Sequence, residues 1–297
     1  MKFVHTSFKA LRSICLTLVF FLGFITIVAT GGGGGDGGNS PPIINTIFEA
    51  EESFFAEVEA GYGALLVLEG INGDIIITGV NDTNSVVITG MKRVRSDSIY
   101  DAEEQLQEIE VNVLSMENEI YIETIQPQDT EYRQYQVDYE ITLPKDLEIQ
   151  LDSVNGNIIL DSIYNDVTVY HMNGDVTLIE VIGSPLVDLI NGDVTLIEVV
   201  GSTFVYLVNG DIESDVTLPL NGIIDLYMVN GSIDLYIPAN TSAEFSAAVS
   251  IGDISISNLV LENEVRTSTS LSGSLGFGQG TIFLEIENAG NISVFGF

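Results

Sequence analysis

Asn-Gly recurs at Asn155-Gly156, Asn173-Gly174, Asn191-Gly192, Asn209-Gly210 and Asn230-Gly231, spaced by 18, 18, 18 and 21 residues. An earlier copy stands at Asn72-Gly73, and degenerate copies at Ile251-Gly252 and Ala289-Gly290. A dipeptide this hostile to helix, repeated at this interval, breaks any helical reading.

The columns after each glycine carry a second regularity. The first position holds Asp74, Asn157, Asp175, Asp193, Asp211, Ser232, Asp253 and Asn291. The second holds only Ile or Val, at 75, 158, 176, 194, 212, 233, 254 and 292. The third is mostly polar, and the fourth is aliphatic except at Ser214. Alternation with period two is a strand with one buried face. The residue before most of the pairs is also apolar: Ile71, Val154, Met172, Ile190, Val208 and Val229.

A meander of hairpins is one way to use Asn-Gly, which suits a type I′ turn. Equal repeats in constant phase stack more readily as rungs, each strand pairing in parallel with its copy one repeat on. The sequence therefore predicts an all-β parallel β-solenoid with rungs of 18–21 residues. Asn in left-handed geometry would turn the corner, and Gly would avoid a Cβ where turns crowd. A left-handed hexapeptide helix needs an aliphatic every sixth residue, and the frame through Val176 and Ile182 meets Asp188. Another winding, right-handed, is expected.

Residues 46–150 read as a less regular β part of the domain, and 151–297 as the solenoid repeats. Strand-like runs lie at Ala64–Leu68, Ser85–Thr89, Glu108–Val113, Glu119–Glu123 and Val137–Leu143, with a short helix over Asp101–Glu108. Residues 1–30 read as a signal peptide or N-terminal anchor. Lys2, Lys9 and Arg12 precede the apolar run Ile14–Ala29, which is short for a membrane span. Residues 31–45 read as a glycine-rich tether. Thr30 stands where a bacterial lipoprotein leader would carry its lipidated Cys. The single cysteine, Cys15, lies in the leader, so the exported part has no disulfide framework.

From about residue 48 to the end, the chain resembles the bacterial family of unknown function named "putative adhesin", also called toastrack. The residues that carry the resemblance are Gly70-Ile71-Asn72-Gly73-Asp74, the central Tyr139–Pro144 (YEITLP), and the serial Asn-Gly-Asp/Asn strands. The resemblance implies a β-helix-like, surface-exposed, non-catalytic protein.

Charge narrows the partners. The chain has 43 acidic residues against 9 basic, a net charge of −34. Phosphate binding needs clustered Lys and Arg, so nucleic acid is excluded and anionic lipid disfavoured. The basic cluster Lys92, Arg93 and Arg95 reads as a solvated loop. A surface or envelope protein or glycan is the expected partner class. Because no long segment follows Val294, the terminal rung is expected to expose a pairing edge and to self-associate end to end.

Asp175, Asp193 and Asp211 are the candidate metal ligands. Stacked at about 4.8 Å, three carboxylates repel, and Ca²⁺ would bridge them with oxygen ligands. The competing reading is a turn carboxylate accepting backbone N–H groups, which the uncharged Asn157, Ser232 and Asn291 of the same column favour. No other cofactor is implied.

Large β-helices include polysaccharide-cleaving enzymes, an analogy of fold alone. After Lys145 the chain offers only His171 and Arg266 to assist a carboxylate. A lone His at a turn lacks the converging donors of a metal site. The run Gly273–Gly280 (GSLGFGQG) has neither the Lys-Ser/Thr nor the helix of a phosphate loop, and reads as a loop before the last strand. Tyr164, Tyr170, Tyr206, Tyr227 and Tyr236 are either strand formers or sheet-face rings for sugars and proteins. The reading is an exported, non-enzymatic, acidic module of the periplasm or cell surface, adhesin-like or scaffolding. The alternatives are a Ca²⁺-dependent binding module and a polysaccharide-acting β-helix enzyme.

Overall fold

The structure is a computed structural model, and it describes residues 48–116, 118–128, 130 and 133–297. The leader and tether lie outside the described residues.

Each rung of the regular run is two strands joined by an Asn-Gly corner. The rung that opens the regular run pairs β8 (Glu148–Asn155) with β9 (Ile158–Asp161). It is followed by β10 (Val167–Asn173) and β11 (Val176–Ile179), β12 (Leu186–Asn191) and β13 (Val194–Val200), and β14 (Thr203–Asn209) and β15 (Ile212–Thr217). Then come β16 (Ile223–Asn230) and β17 (Ile233–Ile237). The first strands of the rungs stack in one parallel sheet, called B here, and the second strands in another, A. From β9 to β13 register is held without slip, so Val176 pairs with Ile158 and Val194, and Thr177 with Ile159 and Thr195, while β13 and β15 shift register between Leu196 and Val199. The expected parallel β-solenoid is the observed architecture.

The core fills the space between the sheets. On sheet A the inward columns are the two predicted from sequence. Ile158, Val176, Val194, Ile212 and Ile233 form one, and Leu160, Leu178, Leu196, Ser214 and Leu235 the other, none more than 1% exposed. Ser214 is tolerated because its hydroxyl donates to the carbonyl of Asp234 at 3.4 Å. Sheet B closes the core with Leu151, Val169, Val187, Val205 and Leu226. Each such aliphatic side chain contributes roughly 1.5–3 kcal/mol by leaving water.

Both ends of the stack depart from sequential winding. In order, the rungs are β6/β7, β2/β3, β8/β9 to β16/β17, then β22/β23, then β18/β19. Here β2 is Leu65–Glu69, β3 Ile75–Val80, β6 Glu119–Ile125 and β7 Gln134–Pro144. At the far end β18 is Ala243–Ile251, β19 Ile254–Ser257, β22 Gly280–Ala289 and β23 Ile292–Gly296. The rung containing Val294 is therefore interior, not terminal: it lies between β16/β17 and β18/β19. The expectation of an edge at Val294 is corrected. Residues 258–279 leave the stack as the hairpin β20 (Leu261–Arg266) and β21 (Ser270–Leu275), of which β21 runs antiparallel along β18, and bring the chain back one rung inward. Contacts across the inserted rung hold it there, among them Tyr236 stacked on Phe295 with ring centroids 5.0 Å apart. The run Gly273–Gly280 accordingly supplies the end of β21, a turn and the first residue of β22, rather than a loop throughout.

The N-terminal part caps the other end. β1 (Phe48–Glu59) runs antiparallel along β4 (Ser85–Ser96), β4 along β7, and β5 (Glu110–Met116) along β6. The helix α1 (Ile99–Leu106) buries Ala102 and Leu106. It starts two residues earlier than Asp101 because the Ser98 hydroxyl accepts from the Asp101 amide and fixes the N-cap. Lys92, Arg93 and Arg95 are on strand β4, not in a loop. Each meets an acid of β1, Glu52, Glu51 and Glu49 in turn, and Arg93 also holds Asp138.

Candidate functional site

The Asn-Gly corner is a double ladder. Asn173 Nδ2 donates to Asn155 Oδ1 at 3.0 Å, Asn191 to Asn173 at 2.9 Å and Asn209 to Asn191 at 2.9 Å. Asn155 continues the ladder to Asn72 at 2.7 Å, and Asn230 to Asn209 at 3.0 Å. Glycine, not asparagine, makes the turn: Gly174 has φ +129° and Gly192 φ +137°, whereas the Asn residues keep negative φ. The expected left-handed Asn is thereby corrected. A Cβ on Gly174 would lie 1.9 Å from the carbonyl oxygen of Gly156 in the rung before. The positions named from sequence as turn formers, Asn72, Gly73, Asn155, Gly156, Asn173, Gly174, Asn191, Gly192, Asn209, Gly210, Asn230 and Gly231, all lie along this corner.

The Asp column forms the second ladder. The amide of Asp193 donates to Asp175 Oδ1 at 2.9 Å, that of Asp211 to Asp193 Oδ1 at 2.9 Å, and that of Ser232 to Asp211 Oδ1 at 2.7 Å. Asn157 takes the same part toward Asp175, at 3.0 Å. Asp175, Asp193 and Asp211 thus each place one carboxylate oxygen on the next rung's backbone and leave the residue exposed. Among the described residues no group of three or more His, Cys, Asp or Glu is placed to hold a metal ion.

His171 is a core residue. It faces inward from β10, 4% exposed, in a column with Ser153 and Leu189. Its Nδ1 lies 3.1 Å from the Ser153 carbonyl and its Nε2 2.7 Å from the Gly156 carbonyl. Burial pushes its pKa below the ordinary value, against the pull of those two carbonyls and of Asp175.

The outward face of sheet B gathers what sequence reading left scattered. One column runs Tyr121, Val67, Gln150, Thr168, Leu186, Phe204, Asp225, Phe283. The next runs Glu123, Glu69, Asp152, Tyr170, Asp188, Tyr206, Tyr227, Glu285. A third holds the apolar residues that precede the Asn ladder: Val154, Met172, Ile190, Val208 and Val229. Rings and carboxylates are hydrogen-bonded neighbours here. The Tyr206 hydroxyl donates to Asp225 Oδ2 at 3.4 Å, that of Tyr227 to Glu287, and Gln150 Nε2 to Asp152 Oδ2 at 3.2 Å. Tyr206 and Tyr227 lie 6.4 Å apart with planes tilted by 45°. Burial raises the Asp152 pKa, and burial together with Glu69 pushes Tyr121 to about 12.

Of the five tyrosines singled out in the sequence, Tyr170, Tyr206 and Tyr227 share this face. Tyr236 is on the outer face of sheet A, and Tyr164 is at a turn under Lys145, whose ammonium is 4.4 Å from the ring centroid. Sequence reading missed Phe204, Phe283, Asp152, Asp188, Asp225 and Glu285. For Asp152, Asp188, Phe204 and Asp225 the signal stands three or five residues upstream of a ladder Asn, whereas a register shift before Ala289 moves Phe283 and Glu285 off that offset.

No protein-family model matches the chain, and no curated protein matches it. Solved structures do resemble it. One is described as a putative cell adhesion protein from Clostridium sporogenes ATCC 15579, with 14% identity and a TM-score of 0.38 over 84% of this chain and 100% of that one. A putative adhesin from Bacteroides fragilis NCTC 9343 has 12% identity and a TM-score of 0.34 over 82% and 97%. A putative adhesin from Parabacteroides distasonis ATCC 8503 has 10% identity and a TM-score of 0.30, again over 82% and 97%.

Proposed function

We propose that this chain is an exported, adhesin-like binding module of the bacterial envelope that acts by presenting a surface rather than by catalysis. The observation that carries the proposal is the outward face of sheet B. Rigid parallel pairing holds aromatic rings, aliphatic side chains and carboxylates in fixed columns, a composition that recognises polymers or surfaces through stacking and polar contact. The resemblance in sequence to a surface-exposed family points the same way, and the basic, apolar N-terminus fits export.

The test is retention of the full chain on isolated bacterial envelopes, compared with a Phe204→Ser/Tyr227→Ser double variant. Retention that falls at least tenfold in the folded double variant supports the assignment. Retention that is unchanged moves the function away from sheet B.

A further inference from the structure

The surface reading of sheet B leaves its ligand unnamed, but the face restricts the chemistry. The six cations beyond the leader are Lys92, Arg93, Arg95, Arg133, Lys145 and Arg266. None stands in the two central columns of sheet B. Those columns carry Glu69, Glu123, Asp152 and Glu285 among rings that include Tyr121 and Phe204. Asp152, half-buried on this face, loses hydration, and an arriving cation recovers that cost. An ammonium is drawn both to the carboxylate and to the negative face of a neighbouring ring.

The geometry also distinguishes between cationic polymers. An extended peptide binds a sheet by adding to its edge, where main-chain N–H and C=O groups are open. In the middle of sheet B every strand is hydrogen-bonded on both sides, so the face offers only side chains. A sugar ring suits such a face, since it stacks its C–H groups on an aromatic ring and has no main-chain amides to satisfy. Stacked rungs set these rings and carboxylates along one straight line at multiples of the strand spacing.

We infer that the outward face of sheet B binds a linear polysaccharide with free amino groups, its ammonium groups set against Asp152 and Glu285 and its rings against Phe204 and the neighbouring tyrosines. This inference rests on the surface-binding reading above.

The experiment measures affinity of the full chain, at fixed ionic strength and mildly acidic pH, for three immobilised probes: chitosan, the same chitosan after N-acetylation, and poly-lysine. A chain this acidic will attract any polycation weakly, so two charge-matched variants are compared: Asp152→Asn/Glu285→Gln on sheet B and Glu213→Gln/Asp234→Asn on sheet A. The expected result is chitosan binding that N-acetylation abolishes, that drops about tenfold in the sheet B variant, and that changes less than twofold in the sheet A variant. A Phe204→Ala variant, checked for an unchanged unfolding midpoint, loses chitosan but keeps poly-lysine. Equal loss in both charge variants shows attraction by net charge alone and overturns the inference. Equal binding of the acetylated probe overturns the role of the ammonium. Poly-lysine bound through sheet B with chitosan ignored reassigns the face to basic peptides. Retention on whole envelopes that depends on sheet B, with none of the three probes bound, overturns only the ligand class. Loss of that retention dependence sinks the surface reading itself.

Discussion

At Asp193 a single oxygen decides between a turn and a metal site. Oδ1 accepts the Asp211 amide, and an asparagine would present the same acceptor without the charge. Asp193→Asn is therefore expected to leave stability within about 0.5 kcal/mol, while Asp193→Ala orphans a corner amide and costs about 1–2 kcal/mol. Urea unfolding of the two variants measures the difference. The unfolding midpoint of the parent chain is expected to be the same in Ca²⁺ and in chelator at fixed ionic strength. A calcium-specific rise, by mass action on the native state, would reassign Asp175, Asp193 and Asp211 as ligands. Gly174 bears a harder constraint: Gly174→Ala combines a positive φ with a Cβ 1.9 Å from a carbonyl oxygen, and a loss of 3 kcal/mol or more is expected (order of magnitude). His171 gives the pH dependence. Its neutral ring has one N–H for two facing carbonyls, yet burial still lowers its folded pKa. As pH falls through about 6.5 the unfolded chain takes up the proton first. Stability is therefore intact above that pH and declines below it. His171→Leu, which copies Leu189 in the same column, is expected to flatten the fall of the unfolding midpoint between about pH 7 and pH 5. A parallel fall in both proteins would assign the acid sensitivity elsewhere.

Single elements were legible in the sequence wherever one column decided them. Ile or Val two places after each corner glycine marks the inward face of the sheet A strands β3, β9, β11, β13, β15, β17 and β23, because parallel stacking turns a sequence column into a spatial one. The other turn of the rung left no such mark. There Ser162 and Glu180 take positive φ of 60° and 50°, and Glu198, at the bulge near the end of β13, takes 54°, a conformation for which sequence normally supplies Gly or Asn. The left-handed geometry costs a non-glycine residue roughly 1–2 kcal/mol, offset here by rung packing on either side. Glu198→Asn is therefore expected to raise the unfolding midpoint, with a gain of about 0.5–1 kcal/mol. A lowered midpoint would mean that the Glu198 side chain stabilises the turn through contacts of its own. The sheet B face stayed hidden for a different reason. Its columns mix Tyr, Asp, Phe and Leu, so no single residue type fills a column, and only the shared offset from the ladder Asn marks them as one surface.

Order within the whole molecule was beyond the sequence, since a column states that a strand is a rung and says nothing about its neighbours. The columns alone make the end of the chain look like the end of the stack. At this end of the stack the open edge of sheet A is instead β19, which pairs only with β23. Its inward Ile254 and Ile256 are half-buried, whereas Ile292 and Val294 one rung in are 0% and 1% exposed. An edge that bares both backbone groups and aliphatic side chains favours pairing with a second copy. Two features oppose it. Arg266 Nη1 donates to the Ile254 carbonyl at 3.0 Å, and the net charge of −34 makes copies repel one another. Association through this end is therefore expected to be weak at low salt and to strengthen as salt screens the repulsion, the reverse of an assembly held by ion pairs. Sedimentation velocity across a salt series reads this directly. Ile256→Lys places a charge on the edge and is expected to abolish the salt-promoted species, while the same substitution at exposed Ile223, away from either end of sheet A, leaves it intact. A monodisperse monomer at high concentration and high salt would leave β19 as an edge protected by its shortness and by Arg266.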